Sequence, residues 1–212
     1  MKPLILLGGG GHCKSVIEAA RSVYRPIAGI IDVTDKVGTE VCGVPIIGTE
    51  SLLPSLAKDY EFIVAVGFIK NPAARNLLYG KILSCGGVPA VVIASTAHVS
   101  EYASIGRGSV VLHGACVNAG AVVGENVIIN TMADIEHDAE IGANSHISTN
   151  ASINGGTRMG ESVFVGSGAV TVQGISICPN VVIGAGAVVC RDITVPGVYV
   201  GVPCRRLYAV SF

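Results

Sequence analysis

From Val99 to Val195 every sixth residue is apolar, with one exception. The series opens Val99, Ile105, Val111, Val117, Val123, Ile129 and closes Ile177, Ile183, Val189, Val195. Of its seventeen positions only Thr171 is polar. A helix would repeat near 3.6 and a strand every 2. A strict period of six belongs to a β-solenoid. Glycine follows the apolar position at Gly106, Gly124, Gly142 and Gly160, in steps of eighteen. Three hexapeptides therefore make one coil of a triangular prism. Each face is a short strand, and each inward residue stacks on the one eighteen further on. The glycines are expected near corners, where positive φ or close packing excludes a Cβ. About five coils fit the stretch. Thr171, close to Val in shape, is expected to be tolerated in the core.

At 212 residues the chain can hold one or two domains and a substantial core. Half of it is apolar, 28 residues are Gly and only 14% are charged, as suits a glycine-punctuated β protein that associates. Outward apolar positions such as Val110, Val122 and Ile128 are expected to drive that association. The net charge of −1 gives no reason to expect nucleic acid or an anionic membrane as partner. No apolar run approaches the roughly 18 residues that span a bilayer. The start MKPLILLGGGG suits a first strand and loop better than a signal peptide. The seven cysteines are odd in number, scattered and without a CxxC, which implies free thiols and a cytoplasmic location.

Before the solenoid, strands alternate with helices. Strands are expected at 3–7, 26–31, 61–66 and 88–93, with a short extended piece at 44–47. Helical patterns cover 15–23, 50–56 and 71–84. This is a small, open, parallel, Rossmann-like sheet. The expected division is a domain over 1–94 and a solenoid over 95–212, closed by Gly201-Val202-Pro203-Cys204-Arg205-Arg206 as a cover for the last coil.

Gly8, Gly9, Gly10 and Gly11, followed by His12, lie between the first strand and the first helix. Glycines there let backbone N–H groups approach a phosphate at a helix N-terminus. Asp32, at the tip of the second strand, is placed to meet a ribose hydroxyl. The dinucleotide pattern G-x-G-x-x-G fails, because its third glycine would fall on Cys13. A nucleotide or nucleotide-sugar phosphate is expected instead of NAD, with a tight turn and no ligand as the alternative. Gly67 would line the same crevice, and Lys70 would neutralise phosphate charge or simply be solvated.

In the charge-poor coils, Glu136-His137-Asp138 sets a histidine between two carboxylates. Acyl transfer from a thioester needs a base with a pKa near neutrality and a carboxylate that fixes its tautomer. A solvated corner histidine is the alternative. His146 lies nine residues on, half a coil, on roughly the opposite side of the prism. If His137 and His146 serve one site, they come from different subunits. His113 lacks a carboxylate neighbour, and His98 is given no role. The spacings of His113, His137 and His146 are 24 and 9, neither a multiple of eighteen, so no metal is expected.

The hexapeptide pattern resembles that of the hexapeptide-repeat acyltransferases, whose fold is a left-handed parallel β-helix. The handedness comes from that resemblance. The GGGGH loop, Asn130…Glu136-His137-Asp138…His146 and the closing GVPxR segment together look like the sialic-acid and bacillosamine O/N-acetyltransferase family. That family includes nucleotide-sugar acetyltransferases of bacterial glycan synthesis, and the likeness covers essentially the whole chain. It implies His137 as general base, supported by Asp138 or, since Asp is shorter than the family's Glu, by Glu136. It implies Asn130 and His146 near the thioester, and Gly155, Gly166, Gly184 and Gly186 against the pantetheine arm. Arg205 and Arg206 would meet coenzyme phosphates. Gly8 to Gly11, His12 and Asp32 would form the nucleotide-sugar end. It also implies a homotrimer with acetyl-CoA between neighbouring solenoids.

The reading that follows is an acetyl-CoA-dependent N-acetyltransferase acting on a nucleotide-linked amino sugar of the UDP-4-amino-sugar type. The rival enzyme is an O-acetyltransferase of sialic acid or another sugar. The rival of another class is a non-catalytic trimeric scaffold that binds a nucleotide sugar.

Overall fold

The computed structural model describes residues 2–69 and 71–207. The first half is a six-stranded sheet in the order β3-β4-β2-β1-β5-β6. Its strands are β1 (Leu4–Leu7), β2 (Ile27–Ile31), β3 (Glu40–Val41), β4 (Val44–Gly48), β5 (Glu61–Val64) and β6 (Val88–Pro89). All pairs are parallel except the β3–β4 hairpin, which the sequence reading missed. Two-residue β3 is too short to show a period. Helices α1 (Gly11–Ser22), α2 (Leu53–Leu56) and α3 (Ala73–Ser84) complete this half. Helix α1 starts inside the glycine loop, not at Ser15 as expected.

The strand expected over 88–93 is two strands in two sheets. β6 ends the first sheet, and Val92–Ile93 opens the solenoid by pairing with Val110–Val111. The solenoid is a three-sided parallel β-helix. Its two-residue strands stack into three parallel sheets, and each register step is eighteen residues. The sixth-residue column fills the interior, with Val111, Ile129, Ile147, Val165 and Ile183 on one face, all fully buried. A second inward column, two residues earlier in each hexad, had no counterpart in the sequence reading. Ala115, Ala121, Ala133, Ala139, Ala151, Ala169 and Ala187 belong to it. Alanine is a weak hydrophobic signal in sequence, and the same column is filled elsewhere by Val127, Val163, Ile175 and Val181 and by Ser109, Ser145 and Thr157, so no single residue type marks it. Thr171 is accommodated by bonding: its hydroxyl accepts from the Asn154 amide at 3.0 Å and meets the Thr157 hydroxyl at 3.3 Å.

The corners separate the two explanations offered for glycine. Gly106, Gly124, Gly142 and Gly160 owe their identity to close packing, since a Cβ on Gly106 would lie 2.4 Å from the Gly124 carbonyl carbon. The left-handed residue is two positions further on. Gly108, Gly114, Gly120, Asn126, Met132 and Asp138 all have positive φ. The period also fails at its end. Ile193, not Val195, fills the slot above Ile177, and Val195 is exposed. The last coil is shorter because Asp192 turns it, its carboxylate accepting from the Ser176 amide at 2.8 Å. Gly197–Val200 and Arg205–Arg206 then cover the final coil as an antiparallel pair.

The two halves meet across α1. Its buried Cys13, Val16, Ile17 and Ala20 pack in one cluster with Val92, Val110 and Ile128 of the solenoid. Val110 and Ile128 are therefore fully buried within the chain and cannot drive association as expected; only Val122 of the three is exposed. Among the described residues no helix is long and apolar enough to cross a membrane.

Candidate active site

A cavity of about 1010 Å³ opens where the two halves meet. Gly10, Gly11 and His12 form one wall, Ala65 to Ile69 a second, and Asn130, Thr131, His146 and Thr149 of the solenoid a third. The first two walls follow β1 and β5, which are neighbours, while the chain after α1 returns on the other side of β1 as β2. That is the topological switch point, where open α/β sheets bind ligands at the carboxyl ends of their strands.

The four glycines do different jobs. Gly8 has φ +101°, and a Cβ there would lie 2.3 Å from Val66 Cγ2. Gly9 donates its N–H to Asp32 Oδ2 at 2.6 Å. Gly10 and Gly11 face open space, with nothing within 4 Å of a built Cβ. Helix α1 begins there with no side-chain cap and no acidic residue in its first turn, so its positive end is uncompensated. Asp32 also accepts from Lys36 Nζ at 2.9 Å and from the Val33 amide at 2.7 Å. Burial opposes its charge, but these bonds outweigh it and hold the carboxyl below the usual range. Asp32 is not part of the cavity wall; its carboxylate fastens the loop that is. Gly67 stands in the wall, its built Cβ 3.6 Å from His12. Lys70 lies outside the described residues.

His146 is buried at the cavity floor, its ring 5.2 Å from Phe164, 5.6 Å from Phe68 and 6.3 Å from His12. Its Nδ1–H donates to the Phe68 carbonyl at 2.8 Å. A carbonyl only accepts, so Nδ1 carries the proton and Nε2 is the acceptor. Asn130 Nδ2 donates to that Nε2 at 3.1 Å, and Asn130 Oδ1 accepts from the Thr131 amide at 2.8 Å. Burial, with the nearby Arg75 charge, pushes His146 down to about 4. Burial pushes His12 down to about 3, helped by Arg75 and His146. His12 Nε2 is buried with no partner among the described residues. Both rings are neutral at pH 7.

His137 lies elsewhere. It sits on the corner between the faces of Asp134–Ile135 and Glu140–Ile141, opposite the face that carries His146. A separate hollow of about 300 Å³ holds His137, Asp138, Gly155, Gly156, Gln173 and Gly174. His137 Nδ1 donates to Asp138 Oδ2 at 2.8 Å, leaving Nε2 as the free basic nitrogen. Asp138 reaches the ring despite its short side chain because it occupies a left-handed corner, φ +58°. Glu136 instead accepts from the His137 backbone amide at 3.1 Å, away from the ring. The hydrogen bond that His137 donates to Asp138, then the charges of Asp138 and Glu136, raise the His137 pKa above its ordinary value.

Glycines make room for this pair. A Cβ on Gly155 would lie 2.7 Å from His137 Nε2, and one on Gly120 2.4 Å from Asp138 Oδ1. Gly155 thus bears on the imidazole directly. Gly166, Gly184 and Gly186 donate their amides to Ile183, Tyr199 and Ser167 at 2.8, 2.8 and 2.9 Å. Arg205 is exposed, with Nη1 bonded to the Cys204 carbonyl at 2.9 Å, and Arg206 bonds the Pro196 carbonyl at 2.8 Å. His113 bonds Thr96 Oγ1 at 2.8 Å.

One chain thus brings Gly10, Gly11, His12, Gly67, Asn130 and His146 into one cavity, and leaves His137, Asp138 and Gly155 apart from it. The sequence reading missed Phe68, Phe164, Thr131, Thr149 and Arg75. Phe164 was traceable, since it stands eighteen residues after His146 on the same outward column.

Comparison with known proteins agrees with this architecture. Residues 3–82 match the PglD N-terminal domain. No curated protein matches in sequence. The acetyltransferase domain of PglB from Neisseria gonorrhoeae, in complex with acetyl coenzyme A, is 37% identical with a TM-score of 0.90; the match covers 97% of this chain and 99% of that one. A variant of perosamine N-acetyltransferase from Caulobacter crescentus, in complex with CoA and GDP-perosamine, is 32% identical with a TM-score of 0.91, covering 99% and 98%. WeeI from Acinetobacter baumannii, 21% identical over 98% of this chain and 100% of its own, shares the fold with a TM-score of 0.87. With a glycine-loop domain and a β-helix joined in the same way over their whole length, this chain belongs to the hexapeptide-repeat sugar N-acetyltransferase family of the PglB acetyltransferase domain and perosamine N-acetyltransferase.

Proposed function

We propose that the protein transfers the acetyl group of acetyl-CoA to the amino group of a nucleotide-linked amino sugar. The observation that carries this is the full-length likeness to two N-acetyltransferases, one bound to acetyl coenzyme A and one to CoA and GDP-perosamine. The cavity at the carboxyl ends of β1 and β5 supports a nucleotide-sugar acceptor. Its uncompensated helix N-terminus suits the diphosphate, and neutral His12 and His146 with Asn130 suit sugar hydroxyls and the thioester.

His137 is the general base. Its Nε2 takes the proton of the amine as nitrogen attacks the thioester carbonyl; the new C–N bond forms, the C–S bond breaks, and the imidazolium gives the proton to the departing sulfur, so that CoA leaves as the thiol. Asp138 holds the tautomer and stabilises the imidazolium. Because His137 and the cavity lie on opposite sides of one solenoid, the base that serves a cavity comes from a neighbouring subunit of a homotrimer. Exposed Tyr102, Val122 and Met132 on the solenoid support such an interface. All seven cysteines are free thiols, which supports a reducing cytoplasm.

The test is mass spectrometry of products from UDP- and GDP-linked amino sugars with acetyl-CoA, beside hydroxyl acceptors that include sialic acid. Gain of one acetyl group on an amino sugar is the expected result. Acetylation of hydroxyl acceptors alone would mean an O-acetyltransferase, and binding without turnover a scaffold. Light scattering that returns a monomer at micromolar concentration would remove the shared site.

A further inference from the structure

Arg75, on α3, has no exposed surface at all. Its hydrogen-bond partners are main-chain carbonyls. Nη1 donates to Val64 at 2.6 Å and Val66 at 2.9 Å; Nε donates to Asn126 at 3.2 Å and Nη2 to Gly108 at 3.4 Å. Burial lowers its pKa to about 9, which leaves the charge in place at pH 7. Among the described residues no carboxylate pairs with it; a buried charge so placed is costly, and adhesion does not require it. The apolar cluster of α1 with Val92, Val110 and Ile128 already joins the halves. Carbonyl bonds supply something apolar packing lacks, namely direction.

Those carbonyls belong to two walls of the cavity. Val64 ends β5, and the chain runs straight on through Val66 to Gly67, Phe68 and Ile69, all in the cavity wall. Gly108 and Asn126 are left-handed corners on successive coils, and Asn126 leads through Ile128–Ile129 to Asn130. A single guanidinium therefore fixes the distance between the Phe68 wall and the Asn130 wall. His146 bridges the same gap, bonded to Phe68 on one side and Asn130 on the other. Four residues along α3, Tyr79 repeats the contact by donating to Glu125 Oε2 at 2.8 Å.

We infer that Arg75 is a positioning residue for the acceptor cavity: it holds the Val64–Phe68 segment against the solenoid, so that the Phe68 carbonyl keeps the His146 proton on Nδ1 and the cavity keeps its width. This rests on the reading of the cavity as the nucleotide-sugar site. Arg75 itself is not in the cavity wall. Its charge acts in the same sense: among the described residues His12 of α1 and Arg75 are the ionisable groups that face His146, and the guanidinium disfavours protonation of both rings.

The experiment compares the full-length protein with Arg75→Met and Arg75→Lys. Long-range ¹H–¹⁵N spectra of histidine-labelled protein report the tautomer, with His146→Gln assigning the signal. The native protein is expected to show His146 protonated at Nδ1. Arg75→Met is expected to show a tautomer mixture and a KM for the nucleotide sugar raised roughly tenfold, with that for acetyl-CoA within about twofold. Arg75→Lys keeps the charge but not the planar fork, and should lie between. If the Met variant does not fold, the Lys variant decides. A native His146 signature and native KM in a folded variant would overturn the inference. So would a loss of melting temperature with both KM values moved alike, which is the mark of a merely structural arginine. The spectra need no substrate, so failure of the native enzyme to acetylate any nucleotide amino sugar would sink the functional reading and leave the Arg75 arm decisive.

Discussion

His137 and His146 stand in opposite environments, and each has its own pH signature. His137 is exposed and carries a carboxylate partner that raises its pKa. As a base it must be neutral, so the rate should rise with pH through that raised value. Asp138→Asn removes the charge that favours the imidazolium; the acidic limb of the kcat profile should then move to lower pH, and kcat should fall. His137→Ala should lower kcat by roughly 10²–10⁴ and abolish the limb. Acceptors of different amine pKa make the control, because a limb that follows the acceptor belongs to the substrate. Native rates in a folded His137→Ala would end the catalytic reading. His12 and His146, by contrast, have folded values lowered to about 3 and about 4, from 6.5. The unfolded chain then binds more protons than the folded one below about 6.5, so stability falls with falling pH from there toward 4. Melting temperature should drop across this window, and His146→Gln should flatten the slope. An unchanged slope would mean that His146 is not buried as described.

At the scale of elements, the inward column decides folding. Ile141→Asp places an unpaired charge in the prism and costs on the order of several kcal/mol; soluble, cooperatively melting protein from that variant would refute the register. Ala143→Asp, off the column and only partly buried, should shift the melting temperature far less. The period of six was legible because one apolar residue per hexad survives any choice of neighbours. The alanine column was not, since small residues mark tight corners as often as loops. Nor was the shortened last coil, where the Asp192 carboxylate accepts from the Ser176 amide. The switch-point site was legible in Gly10 and His12. What escaped was contact made by the backbone: the Phe68 carbonyl on His146, and the Gly9 amide on Asp32, the residue expected to meet a ribose hydroxyl. Main-chain donors and acceptors leave no trace in residue identity.

On the scale of the whole molecule, the sequence told which residues face outward but not what covers them. Val110 and Ile128 read as association surface and are instead covered by α1 of the same chain. The half-coil step from His137 to His146 was more informative, because a nine-residue offset on an eighteen-residue coil fixes opposite sides whatever else the chain does.

That opposition turns the proposed trimer into a counting problem. Give one batch of chains Gly10→Val, which blocks the cavity, and another His137→Ala, which removes the base. Each alone should be nearly inactive. Unfolded together in equal amounts and refolded, the chains assort at random. A site works only when an intact base from one kind of chain meets an intact cavity from the other. With three heterologous contacts per ring, about one site in four meets that condition. Two dead proteins should therefore yield about a quarter of native activity, while refolding each alone yields none. A mixture as inactive as its parents would place base and cavity on the same chain.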